Sequence, residues 1–160
     1  MKTFKEYLME QANKGTYAAV IPSKESDAAI NSFIKTNNIP LPSDQDKLHS
    51  TLLYSRKHLP KYSPESKFEY SATPKAIEVW PTKSGARCLV LTLDCPDLVK
   101  RHKELMDQHK ATYDFPDYKP HISLSYDIGN FDEKKLNIKD LPNKITLTGE
   151  YQEDLDTSGK

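Results

Sequence analysis

The chain has 160 residues, enough for one domain with a real core and few enough that two similar halves would have to share it. Its 23 basic and 23 acidic residues cancel. That removes the long-range positive field of proteins that grip extended DNA or RNA, while leaving room for a small anionic ligand, which needs only a few local donors. No apolar run is long enough to cross a membrane, and the charged start MKTFKEYLMEQANKG lacks a secretion-signal core, so the expected location is cytoplasmic.

In chain order, Phe4, Tyr7 and Leu8 predict a short N-terminal helix ended by Asn13-Lys14-Gly15. TYAAVI reads as a strand stopped by Pro22, after which Ser23 opens a helix with the stripe Ala29, Ile30, Phe33 and Ile34, closed by Asn37-Asn38. The polar loop IPLPSDQDK leads into the strand HSTLLYS, residues 49–55. Residues 56–75 are charged and broken by Pro60, Pro64 and Pro74, the composition of a long excursion or lid. AIEVW (76–80), the turn TKSG and ARCLVLTLD predict a hairpin. A second helix follows at Pro96, with Leu98, Val99, His102, Leu105 and Met106 on one side. HISLSYD (121–127) and KITLTGEY supply two more strands, and the acidic residues 152–160 read as a frayed tail on a domain spanning 1–151. Cys88 and Cys95 flank an apolar strand, about 20 Å apart if that strand is extended, which is too far for a disulfide.

HSTLLYS and HISLSYD are nearly the same phrase, and their histidines lie 72 positions apart. At that offset residues 17–21 fall on 89–93, and Ile30, Phe33 and Ile34 fall on His102, Leu105 and Met106. Each half then reads strand, helix, loop, histidine strand, as two structural repeats sharing a core would.

Alternation along a strand puts His49 and Thr51 on one side and Ser50, Leu52 and Tyr54 on the other. In the second copy it sets His121 and Ser123 against Ile122, Leu124 and Tyr126. The other three histidines, His58, His102 and His109, lack the hydroxyl two places on. For one such histidine the plain alternative is a half-buried strand residue bonded to a neighbouring hydroxyl; two in register point instead to a cleft lined by two imidazoles and two hydroxyls. No further carboxylate or histidine follows at ligand spacing, so no metal and no cofactor is expected. Paired imidazoles without a metal suit phosphodiester cleavage, one removing a proton from the attacking oxygen and the other protonating the leaving oxygen. A ribose 2′-hydroxyl already beside its phosphate is the natural nucleophile.

HSTL and HISL satisfy the His-x-Thr/Ser motif of the two-histidine phosphoesterase superfamily, which the chain resembles, with Ser123 where many members have Thr. The early Tyr, the single Trp and the phrase KPHISLSYD make it most similar to the phage anti-CBASS enzymes, which destroy the cyclic di- and trinucleotide signals of bacterial immunity. The resemblance implies an α+β, bilobal fold with two pseudo-symmetric strand-helix-strand repeats around a central cleft. It also implies a metal-independent phosphodiesterase acting on 3′,5′ linkages, with His49 and His121 as acid and base and Thr51 and Ser123 as phosphate donors. Tyr17 and Trp80 look like the aromatic grips on the bases. Parity in AIEVW puts Trp80 on the cleft side, and parity with Ile145 and Leu147 buried makes Glu150 a base-edge acceptor. Lys119, before Pro120, is placed to reach a phosphate. Alternatives are an RNA-end 2′,3′-cyclic phosphodiesterase and a non-catalytic sponge for cyclic nucleotides.

Overall fold

In the computed structural model the described residues are 14–65, 68–112 and 117–156. The predicted N-terminal helix lies outside them. Among the described residues the fold is α+β: a six-stranded antiparallel sheet, two helices and two short 3₁₀ turns. The strands are β1 (Lys14–Pro22), β2 (Ser50–Ser55), β3 (Tyr70–Pro81), β4 (Arg87–Asp94), β5 (His121–Ser125) and β6 (Ile145–Asp156). Their order across the sheet is β2-β1-β6-β3-β4-β5. Although β2 and β5 end that order, they lie against each other, so the sheet curls until its two edges meet.

Helix α1 (Lys24–Thr36) starts where Ser23 Oγ accepts the Ser26 amide at 3.2 Å. Glu25 and Asp27 in its first turn and Lys35 in its last suit the helix dipole. Helix α2 (Pro96–His109) starts with Pro96, whose missing N–H costs nothing in a first turn. The starts of α1 and α2, and the left-handed residues Asn38 (φ 53°) and Lys110 (φ 51°) that follow them, are each 72 positions apart. α1 buries Ile30, Phe33 and Ile34, and α2 buries Leu98, His102 and Leu105, all but His102 in one connected core with Leu52, Leu53, Leu89, Leu91, Ile122 and Leu124. Val99, expected on the buried stripe, is instead 44% exposed.

Three other expectations are corrected. The excursion expected over 56–75 is shorter and tied to the body: Leu59 and Tyr62 are buried in the core, the Leu59 amide bonds Thr16 Oγ1 at 3.0 Å, and residues 70–75 belong to β3. Tyr70, Ser71 and Ala72 pair with Leu147, Thr146 and Ile145, forming the seam that joins the two halves of the sheet. Pro74 is tolerated because the ladder skips Lys75 beside it. The strand β6 runs to Asp156, past the predicted boundary at 151, because β1 offers partners as far as Lys14. Gly15, read from sequence as a helix stop, instead lies where β1 passes β2, and a Cβ there would collide with the Ser55 carbonyl oxygen.

Candidate active site

Cross-strand partners share a face, so register decides which side chains meet. His121 pairs with Thr92, Ser123 with Val90 and Trp80 with Cys88, while Thr51 pairs with Ala19. The remaining face carries the core. His49 immediately precedes β2 and His121 opens β5. The closure of the sheet, β2 on β5, brings the two phrases together.

The two histidines are tethered alike. Nδ1 of His49 bonds the Lys47 carbonyl at 2.7 Å, and Nδ1 of His121 bonds the Lys119 carbonyl at 2.7 Å. A carbonyl can only accept, so each Nδ1 carries the proton and each Nε2 is left to exchange one with a ligand. Burial pushes His121 below the ordinary histidine value; the bond to Lys119 opposes this and the charge of His49 adds to it. The Trp80 ring covers His121, centroids 4.6 Å apart.

Each hydroxyl also has a side-chain partner, of different strength in the two copies. Tyr17 and Thr51 share a hydrogen bond of 3.0 Å, and the Cys88 thiol donates to Ser123 Oγ at 3.7 Å. Burial raises the Tyr17 phenol above its usual value, with hydrogen bonds to Thr51 and Tyr151 pulling the other way, so it stays protonated and able to donate. The Thr51 carbonyl accepts from the Tyr118 hydroxyl at 2.7 Å, and the next carbonyl, Leu52, takes Nδ1 of His102 at 2.7 Å. Tyr118 and His102 stack at 4.0 Å and close the free edge of β2.

Glu150 corrects the parity reading. The β1–β6 ladder pairs Val20 with Glu150 and Ile21 with Thr148, skipping Gly149, whose φ is 74°. That bulge turns Glu150 onto the core face, where Arg101 grips it at 2.7 and 3.2 Å, the Tyr62 hydroxyl at 2.7 Å and the Glu65 amide at 3.1 Å. Its carboxylate oxygens are engaged within the protein, where they anchor α2 to β6. Tyr151 takes the cleft side instead, its ring 6.4 Å from Tyr17 and 6.5 Å from His49.

Tyr54 and Tyr126 are corrected in the same way. The β1–β2 ladder skips Leu52 and the β4–β5 ladder skips Leu124, positions 72 apart. After each bulge the alternation reverses, so Tyr54 pairs with Tyr17 on the cleft side, and Tyr126 joins Tyr17, His49, Tyr151, Asp46 and Glu153 around a cavity of about 620 Å³. Lys119 has an exposed side chain, and its carbonyl is what holds His121.

Residues 14–160 match the family described as anti-CBASS protein Acb1. The chain belongs to the anti-CBASS protein Acb1 family. Family members carrying that name include one from Acinetobacter phage Ac42, 39% identical across 95% of this chain and 98% of the relative. Another is from Enterobacteria phage T4, 34% identical across 97% and 94%, and a third from Vibrio phage KVP40, 33% identical across 90% and 89%. In this Acb1-family chain the residues that alternation alone missed are Tyr54, Cys88, Tyr126 and Tyr151. Signals were present: Gly149 inside a strand pattern and the consecutive Leu52 and Leu53 both mark a break in period two. Among the described residues no three His, Cys, Asp or Glu side chains gather as a metal-holding group, and no helix is long and apolar enough to cross a membrane.

Proposed function

We propose that the chain is a two-histidine phosphodiesterase that opens cyclic di- and trinucleotide immune signals, and so serves a phage in the cytoplasm of an infected bacterium. The observation that carries this reading is the matched pair of histidines, each tethered through Nδ1 to the carbonyl two residues earlier, on strands that the closure of the sheet brings against each other. The matched helix starts, left-handed caps and bulges support two pseudo-symmetric lobes around one cleft. Family membership supports the anti-CBASS role.

In this mechanism a 3′,5′ linkage lies between His49 and His121. One imidazole takes the proton of the neighbouring ribose 2′-hydroxyl, whose oxygen attacks phosphorus, and the other protonates the departing 5′-oxygen. The product is a linear oligonucleotide ending in a 2′,3′-cyclic phosphate. Two nearby imidazoles resist being charged together, which favours the state with one protonated and one neutral that acid-base catalysis needs. Burial under Trp80 favours neutral His121, so we assign it the base and His49 the acid. Thr51 and Ser123 donate to the nonbridging oxygens as charge gathers there. Tyr17, with Tyr54, Tyr126 and Tyr151 close by, offers rings for a base to stack on, worth about 1 to 3 kcal/mol per base.

Incubation with a panel of cyclic di- and trinucleotides, followed by chromatography and mass spectrometry, tests the reading. Linear products with cyclic-phosphate ends are expected, falling about a hundredfold to ten-thousandfold for His49→Ala or His121→Ala. Normal turnover by folded His121→Ala overturns it. Intact ligand recovered after denaturation identifies a sponge, and action only on RNA 2′,3′-cyclic ends identifies the repair-type reading.

A further inference from the structure

The two flanks of the cleft differ in charge. Beside His121 runs a groove of about 610 Å³ lined by Lys75, Lys100, Lys103 and Lys119, against Glu78 and Asp94. It is continuous with the histidine through Thr92, which lines the groove and pairs across the ladder with His121. On the other flank a groove of about 730 Å³, which reaches Lys47 and Leu48 just before His49 in the chain, offers Lys24 and Lys47 against Asp27 and Asp46. One flank carries a surplus of positive charge and the other is balanced, in a chain whose net charge is zero. All four lysines are exposed, and among the described residues none is engaged in an ion pair. Their charge is available to a ligand.

A cyclic oligonucleotide carries one negative charge per linkage, so seating the scissile phosphate between the histidines leaves at least one more phosphate to place. The balanced flank has no electrostatic preference for it; the lysine flank has. We propose that the Lys75, Lys100, Lys103 and Lys119 groove binds a non-scissile phosphate of the substrate, orienting the ring so that its remaining linkages lie on the His121 side. This assignment rests on the phosphodiesterase reading above. It makes the three lysines remote from the histidine motif, Lys75, Lys100 and Lys103, determinants of substrate affinity rather than of the chemical step, because they neutralise charge that does not change during reaction.

The test compares wild type with Lys100→Gln/Lys103→Gln, two exposed helix positions where Gln is well tolerated. With a cyclic trinucleotide, KM is expected to rise about three- to tenfold with kcat within about twofold, and the dependence of log KM on log salt to flatten by about one to two. With a dinucleoside monophosphate bearing a 2′-hydroxyl, which has no second phosphate, KM should respond far less to the same change. Lys134→Gln/Lys139→Gln removes equal charge from exposed positions on the 3₁₀ turns and controls for long-range effects. A KM for the trinucleotide unmoved by Lys100→Gln/Lys103→Gln, or moved equally by the control pair, overturns the groove assignment and leaves the phosphodiesterase reading standing. Wild type that cleaves neither substrate overturns the reading beneath it.

Discussion

Tyr17 holds the Thr51 hydroxyl at 3.0 Å, whereas at the corresponding point of the other phrase a thiol, a far weaker donor, faces Ser123 at 3.7 Å. Tyr17→Phe keeps the ring that packs against His49 and Tyr54 but drops the bond, so a loss of about 1 kcal/mol, roughly fivefold in kcat/KM, is expected with little change in thermal stability. Cys88→Ala should cost less than that, and steady-state kinetics on the two variants checks the order. The Trp80 ring lies against His121. Because burial is the main cause holding that imidazole below its ordinary value, Trp80→Ala should move the acid limb of the kcat/KM profile to higher pH. A limb that stays in place or shifts downward contradicts the role of burial.

At the level of elements, bulges decide what each strand presents. The reversed alternation after Leu52, Leu124 and Gly149 moves three tyrosines to the cleft and Glu150 to the core. Gly149→Ala puts a side chain at φ 74° and is expected to cost about 1 to 2 kcal/mol while also lowering activity, since Tyr151 is placed by that bulge. The bond of α2 to β6 depends on the carboxylate so buried: Glu150 has a side chain 0% exposed and Arg101 16%. Arg101→Met strands that carboxylate and should cost about 3 to 5 kcal/mol in urea denaturation, and adding Glu150→Met should recover part of the loss because no charge is then left unpaired. A double variant less stable than the single one contradicts this account.

For the molecule as a whole, stability should depend on pH through buried imidazoles. Burial lowers the value of His102, opposed by its bond to the Leu52 carbonyl, and burial lowers His121. Unfolding returns both to the ordinary value near 6.5, so between the folded and unfolded values the unfolded chain binds more protons. Their contribution is therefore fully present above about 6.5 and is lost as pH falls through the folded values. Thermal melts should show a falling midpoint on acidification, and His102→Gln should flatten that decline while lowering stability at neutral pH, where the bond to Leu52 is lost.

What the linear sequence determined by itself is local or repetitive: the helical stripes, the Ser23 and Pro96 starts, the TKSG hairpin, and the duplicated His-x-Thr/Ser phrase at an offset of 72. These follow from periodicity and capping, which involve neighbours within a turn or a strand. Where the chain had to be read across strands it misled, at Glu150, Tyr54, Tyr126 and residues 70–75. Alternation predicts a face only while the ladder stays in register, and register is set by the partner strand. The tertiary structure alone decided that β2 and β5 curl together and bring the two histidine phrases to one place, because that closure is the sum of twists and bulges over six strands.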